Sequence, residues 1–222
     1  MIWAMAWLAL ACGSALADDL GRVLKELDKS AANFRSTTAD FEFDTTQTDP
    51  FPDKDVMTGT AYYERKGTTF SMAAHVQKEN DKDAPRTYMY SGGMLKLFQP
   101  MIDQVTSFKS ASKFESYLML GFGASGKDLA DKWEIKYAGQ ETVGGVKTEK
   151  LELVAKDMTL RKNLLKVTVW LDAARGVSLK QVFEFPQSVM RVCTYSNIKT
   201  NQALPADAFK FRTDSKTQYQ EQ

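Results

Sequence analysis

The sequence predicts a mainly β fold of the α+β class, built on an antiparallel sheet of about eleven strands behind a single leading helix. A hydrophobic period of three to four runs through residues 18–36, and from Ala39 onward the period changes to two. Short β-rich runs then follow one another through turn chemistry, without the helix–strand alternation that builds parallel sheets.

Within the helical stretch, Leu20, Val23, Leu24, Leu27, Ala31 and Phe34 form one apolar stripe with charges between them. Phe41 and Phe43 alternate with Asp40, Glu42 and Asp44, as in a half-buried strand. The strand-like runs are 38–47, 56–65, 68–77, 86–91, 94–99, 102–108, 133–138, 146–156, 164–172, 177–185 and 189–199. Gly67, Gly92-Gly93, Gly144-Gly145 and Gly176 stand between consecutive runs, where hairpins require a positive φ, so neighbouring strands are expected to pair as hairpins. Between Lys113 and Lys132 the alternation lapses. There, residues 114–120 read as a short helix and the Gly-rich residues 121–126 as a flexible loop, together an insertion on top of the sheet. Residues 49–55, with Pro50 and Pro52, and 78–85 read as solvated loops, and no repeat or linker marks a second domain.

The 222 residues fit one domain of good size, and 43% hydrophobic with 26% charged residues is ordinary globular composition. A net charge of +1, with the charges interspersed, argues against nucleic acid as a partner and against a purely electrostatic membrane anchor. The first seventeen residues, MIWAMAWLALACGSALA, carry no charged side chain; only the α-amino group supplies a positive n-region. Their apolar stretch is too short for a stable span and ends in Ala15-Leu16-Ala17, the small-x-small pattern a signal peptidase reads. Residues 1–17 are therefore expected to be a signal peptide, with 18–222 as the mature domain. Cys12 offers a rival reading, lipid attachment at that cysteine, but Ala9-Leu10-Ala11 sets leucine one place later than a lipobox requires. Cleavage after Ala17 leaves a single thiol and no internal disulfide. That thiol, Cys193 in Arg191-Val192-Cys193-Thr194-Tyr195, reads as a small buried hydrophobe rather than a nucleophile.

The C-terminal third is distinctive. Leu165-Lys166-Val167-Thr168-Val169-Trp170-Leu171-Asp172, Gly176, Lys180-Gln181-Val182, Asn197-Ile198-Lys199-Thr200-Asn201 and Leu204-Pro205-Ala206-Asp207-Ala208-Phe209-Lys210-Phe211 follow in order. This resembles the LolA family of periplasmic lipoprotein carriers, in which a strand ending in W-x-D turns back through a glycine. The family's chain closes on an I-x-x-N-x-x-(I/L)-P-x-x-x-F-x-F segment. Phe34, Phe41-Glu42-Phe43, Gly59-Thr60-Ala61-Tyr62-Tyr63-Glu64-Arg65 and Phe70-Ser71-Met72 fit the same plan, so the resemblance covers nearly the whole mature chain.

The resemblance implies an incomplete antiparallel barrel with short lid helices over its concave face; a monomer is expected, and the residue inventory leads to no cofactor and no metal. Its cargo would be the acyl chains of lipoproteins, taken from an inner-membrane release complex and delivered to an outer-membrane acceptor. A sensor or scaffold, or a general lipid-binding protein, on the same half-barrel is the alternative. The residues assigned to cavity and lid on this reading are Phe41, Phe43, Tyr63, Arg65, Phe70, Met72, Leu97, Phe114, Leu118, Trp170 and Phe183. Arg65 matches, by its distance from Gly59, an arginine that holds the family's lid through backbone carbonyls. Its five donors in a fixed fork suit such a latch. Where the family commonly has proline after that arginine, Lys66 and Gly67 follow here, so the local turn must differ.

Physical chemistry favours such a site independently. Eleven strands would enclose more interior than side chains fill, and acyl chains ask only for apolar walls, each buried methylene contributing roughly 0.8 kcal/mol. Thirteen Phe, 8 Tyr, 4 Trp and 10 Met supply wall material, though the same residues could fill a solid core. Catalytic readings fail for want of parts. His75 is the only histidine, which leaves no multi-histidine metal site and no conventional Ser-His relay. Gly121-Phe122-Gly123-Ala124-Ser125-Gly126-Lys127 lacks the spacing of a phosphate-binding loop. No enzyme activity is expected.

Overall fold

The computed structural model describes residues 11–67, 69–108 and 118–222, with side chains from Asp18 onward in the leading helix. The predicted signal segment lies largely outside these residues, as do the side chain of Cys12 and the predicted helix up to Tyr117. Helix α1 spans Ala11–Asn33. The strands are β1 Ser36–Gln47, β2 Asp53–Lys66, β3 Thr69–Glu79, β4 Lys82–Ser91, β5 Met94–Gln99 and β6 Gln104–Phe108. After them come β7 Trp133–Val143, β8 Val146–Ala155, β9 Lys166–Asp172, β10 Val177–Glu184, β11 Val189–Thr200 and β12 Gln218–Glu221. Two short helices, α2 Gly126–Lys132 and α3 Met158–Asn163, interrupt the strand succession.

All eleven expected strands form. The strands make one open twelve-stranded sheet in the order β12-β6-β5-β4-β3-β2-β1-β11-β10-β9-β8-β7. Every pairing is antiparallel except that of β12, a short polar strand added parallel to β6, which periodicity did not reveal. The sheet is thus two meanders, β1–β6 and β7–β11, joined where β1 pairs with β11 from Thr37↔Thr200 to Gln47↔Val189.

Asn201 secures that junction. It sits at φ +56, a left-handed conformation that asparagine tolerates. Its side-chain oxygen accepts from the backbone N–H of Arg35 at 2.8 Å, and its amide donates to the carbonyl of Asn33 at 3.1 Å. The C-terminal motif therefore clamps the passage from α1 into β1. Asn197 adds a 2.7 Å bond to Asp40 across the same strand pair.

The sheet's inner face carries the main core. Val23, Leu27 and Ala31 of α1 and Phe34 just after it are buried, and α1 packs on β7 and α2, over the half of the inner face bearing Tyr137, Leu151, Leu153, Val167 and Val169. Glu149 fastens the helix there, accepting from Arg22 Nη1 at 2.9 Å, Tyr137 Oη at 2.8 Å and Gln140 Nε2 at 2.9 Å. Burial acts to raise the Glu149 carboxyl, but bonds from Arg22, Gln140 and Tyr137 together outweigh it and hold the group below its ordinary 4.5. Burial, then the bond to Glu149, pushes the Tyr137 phenol up to about 12.

On the outer face, residues 202–217 form a strap that ends in β12. Phe211 packs on Phe98 with ring centres 5.5 Å apart, and Ala208 is buried with its carbonyl 3.0 Å from His75 Nε2. His75 thus helps hold the strap, and burial lowers its pKa.

A carboxylate depressed in the folded state stabilises the protein above its unfolded pKa, and this contribution is lost as pH falls through the folded value. Glu149→Gln is therefore expected to lower unfolding free energy at pH 7 by about 1–3 kcal/mol, since a buried hydrogen-bonded charge is lost. It should also flatten the decline in stability below pH 4.5. Urea unfolding of both proteins from pH 7 to pH 3 checks this; parallel curves would rule it out.

Candidate functional site

Helix α1 covers one half of the concave face. Over the other half, side chains leave a cavity of about 310 Å³, at the lower end of the roughly 300–1,000 Å³ usual for ligand pockets. It straddles the β1–β11 seam. Phe41 and Phe43 come from β1, Met57, Ala61 and Tyr63 from β2, and Met72, Ala74 and Val76 from β3. Tyr88, Leu95, Gln181 and Phe183 belong to β4, β5 and β10; Arg191, Cys193 and Tyr195 belong to β11; Leu118 arrives from above. Strand alternation explains the set, because positions two apart on each strand face inward.

The polar groups in this wall largely satisfy one another. Gln181 Nε2 donates to the carbonyl of Leu120, and its Oε1 accepts from Tyr195 Oη at 3.2 Å. Burial pushes the Cys193 thiol up to about 12 and raises the Tyr195 phenol well above its ordinary 10. Both stay protonated at neutral pH, so the wall holds no thiolate. Arg191 is the only charged residue among the described lining residues.

Residues 118–126 close one end. The Phe122 ring is fully buried, stacked on Tyr63 at 4.0 Å and edge-on to Tyr195 at 4.7 Å. The backbone of this segment bonds to the β9–β10 turn region, Ser178 N to the Gly121 carbonyl at 2.7 Å and Gly123 N to the Gly176 carbonyl at 3.2 Å. Gly123, at φ +75, lies so close to Phe34 that a Cβ would come within 2.6 Å of the ring. Arg65 Nη2 donates to the Gly123 carbonyl at 2.8 Å, and its guanidinium lies 6.0 Å from the Phe34 ring centre. The expected loop is thus a tethered cover carrying an aromatic plug. Its continuation, α2, begins with a capping box in which Ser125 accepts from Asp128 N at 3.0 Å.

The other end lies at the turns β1–β2, β3–β4, β5–β6, β8–β9 and β10–β11, which strand alternation places on one rim. Phe51, Met101, Ile102, Met158, Leu165 and Met190 are exposed in or beside these turns.

Of the residues assigned from sequence, Phe41, Phe43, Tyr63, Met72, Leu118 and Phe183 line the cavity. Arg65 sits at the cover instead, and Phe70 is buried beside Tyr63 at that same end, ring centres 6.2 Å apart. Leu97 stands opposite Tyr88 on the inner face but outside the lining. Phe114 lies outside the described residues. Trp170 is not part of the trough: Val167, Val169 and Leu171 take the inward positions of β9, which turns Trp170 to the outer face. There its indole donates to Glu141, with Lys150 and Lys180 each within 5 Å of its ring centre, at 4.9 and 4.8 Å.

Phe122, Gln181 and Arg191 were not singled out from sequence. Phe122 was hidden in a glycine-rich run, and the other two sat in strands where a polar residue reads as outward. Among the described residues no group of three metal-binding side chains exists, and no helix is long and apolar enough to cross a membrane. A larger groove of about 900 Å³ lies between strap and outer face, but Lys66, Lys96, Lys210 and several hydroxyls line it, so it is not an apolar site.

The fold and trough are those of an open half-barrel with an apolar hollow under a helical and looped cover. No family model matches the sequence, and no curated protein sequence matches it. Among solved structures, an uncharacterized conserved protein from Thermus thermophilus aligns over 92% of this chain and 99% of its own at TM-score 0.57 and 10% identity. MucB aligns over 87% of this chain at TM-score 0.53 and 13% identity, and this chain spans 63% of MucB. A LolA superfamily protein from Nitrosomonas europaea aligns over 86% of this chain and 97% of its own at TM-score 0.43 and 14% identity. At such identities the likeness is one of fold. The incomplete barrel implied by the C-terminal motif is the architecture observed.

The raised Cys193 pKa leads to a direct expectation. In the native protein a thiol-specific disulfide reagent at pH 8 should leave Cys193 unmodified over hours, as read by mass spectrometry of its peptide, and the same peptide should be labelled promptly in denaturant. Rapid native labelling would show that the seam opens to solvent.

Proposed function

We propose that this chain is an exported, periplasmic carrier that shelters acyl chains of lipoproteins in the trough and moves them from an inner-membrane release complex to an outer-membrane acceptor. On this reading residues 1–17 are removed on export, and the carrier works as a monomer without catalysis. The observation that supports it is the hollow of about 310 Å³, walled by Phe, Met, Tyr and Leu side chains among which the uncharged pair Gln181 and Tyr195 bond to one another. Such a wall selects for chain length and apolarity rather than for hydrogen bonds.

Arg65 then acts as the latch of the cover, its bond to the Gly123 carbonyl holding Phe122 in place until cargo enters. A sensor or scaffold on the same half-barrel would bind lipid without passing it on, so transfer separates the two readings.

Two outcomes are expected. Native mass spectrometry of the protein purified with membranes should show bound lipid or lipoprotein, and Ala74→Trp, which fills the hollow from β3, should abolish it while the protein stays folded. A ligand-free wild type, or an Ala74→Trp variant that binds as before, would end the carrier reading. Arg65→Leu should speed acyl exchange between carrier and vesicles by roughly ten- to hundredfold, the equivalent of about 1.5–3 kcal/mol for one lost hydrogen bond to a charged group. Exchange at the wild-type rate would remove the latch.

A further inference from the structure

The trough wall is neutral apart from Arg191, and its surroundings show a cation held in place without a counter-ion. Its guanidinium lies 5.3 Å from the Phe43 ring centre and 5.0 Å from that of Phe185, which fixes the planar group between two aromatic faces. Nε donates to Thr45 Oγ1 at 3.2 Å, on the neighbouring strand. Among the described residues Arg191 forms no ion pair, and neither of its terminal nitrogens has a protein acceptor.

The contrast with Arg86 is informative. Arg86, beside the same wall, pairs with Glu79 at 2.7 Å, and its Nη2 also rests on the Met57 sulfur. Asp55 faces Thr45 from β2, but its carboxylate takes a 2.9 Å bond from Asn80. Arg191 is therefore half-buried, oriented and left, among the described residues, with a fork of N–H groups that has no acceptor. It stands where β11 nears the rim, opposite Thr45 and two residues before the end of β1 at Gln47.

A half-buried arginine serving only to pack would be expected to recruit a carboxylate, since charge without a partner is costly to desolvate. A planar fork pre-organised at one end of an apolar hollow matches the two oxygens of a carboxylate or phosphate. We propose that Arg191 receives the anionic carboxylate or phosphate at the polar end of an acyl amphiphile whose chain lies in the trough. This rests on the acyl-carrier reading and adds a charge requirement to it. The chain runs inward past Phe43 and Phe41 towards Tyr63 and Phe122, with the head kept at the rim.

The test uses the full chain and three single-chain probes of equal length: oleate, with a carboxylate; lysophosphatidate, with a phosphate; and monoolein, uncharged. Arg191→Gln should weaken both anions by roughly ten- to hundredfold, the range for a charge-assisted bidentate contact, and leave monoolein within about twofold. Arg191→Lys, which keeps the charge but not the fork, should fall between and supplies the comparison if Arg191→Gln does not fold. Inorganic phosphate alone should not bind measurably at millimolar concentration, which separates a lipid head from a free anion. Saturable phosphate binding without a chain would overturn the amphiphile assignment. If wild type binds oleate and monoolein alike, or Arg191→Gln weakens both equally, the Arg191 assignment falls and the carrier reading stands. If wild type binds none of the three, both fall together.

Discussion

The pairing of β1 with β11 is what turns two meanders into one trough. Each meander alone would present an apolar face to water, and the strands that border the seam contribute Phe41 and Phe43 on one side and Cys193 and Tyr195 on the other. The hollow is centred on that line. Because a one-residue slip would turn every inward side chain outward, the register must be fixed. Asn197 on Asp40, and Asn201 on both Asn33 and Arg35, fix it from the polar side. The segment that carries the family resemblance thus has a physical role. It bonds the end of the sheet to its beginning, and its continuation straps the outer face through Ala208 and Phe211.

With the seam closed, the inner face is longer than one helix can cover. Val23, Leu27, Ala31 and Phe34 fill the half over β7–β9, and among the described residues nothing of comparable bulk fills the rest. Apolar space left unfilled by side chains forgoes dispersion contacts. At about 24 cal/mol per Å³, a 310 Å³ hollow corresponds to at most roughly 7 kcal/mol, an upper bound because the rim is wet. That is comparable to the whole net stability of a typical domain, about 5–15 kcal/mol. A packing accident of that size would be removed easily by larger side chains at Ala61 or Ala74. Their smallness is a property of a binding wall more than of a core.

Much of this was legible in the sequence for a simple reason: period and turn chemistry are local. The change from a 3.6 to a 2.0 period located α1 and β1, and glycines marked the hairpins, so the eleven strands emerged with modest boundary errors. Local pattern did not reveal β12, whose polar Gln218–Glu221 pairs only because the strap delivers it to the edge of β6. It also missed α2, although Ser125-Gly126-Lys127-Asp128 spells a capping box, because the preceding glycines dominated the local signal. For the site, sequence supplied aromatic candidates but not their side of the sheet. Phe41, Phe43 and Trp170 look alike as strand aromatics; only the register of β9 against β8 and β10 turns Trp170 outward. Arg191 was invisible for the converse reason, since an arginine in a strand reads as solvated until Phe43 and Phe185 are found on either side of it.

The two ends of the trough are built to different strengths, and the difference sets a direction for binding. At the covered end, swinging the Phe122 ring out while the backbone tethers of Leu120, Gly121 and Gly123 hold forfeits the Arg65 bond, a net contribution of about 1.5–3 kcal/mol for a charged donor, and the burial of Phe122, about 1.5–3 kcal/mol. Those sum to a few kcal/mol. An acyl chain placing ten methylenes in the hollow would gain on the order of 8 kcal/mol before the entropy of ordering it. On the acyl-carrier reading, a long chain can therefore displace the plug and a short one cannot, so the cover would discriminate by length. At the rim no cover stands among the described residues, and Arg191 has no ion-pair partner among them from which it would have to be broken. Entry from the rim, with the chain end driving Phe122 from Tyr63 and Tyr195 only once enough methylenes are buried, is the sequence of events these magnitudes favour.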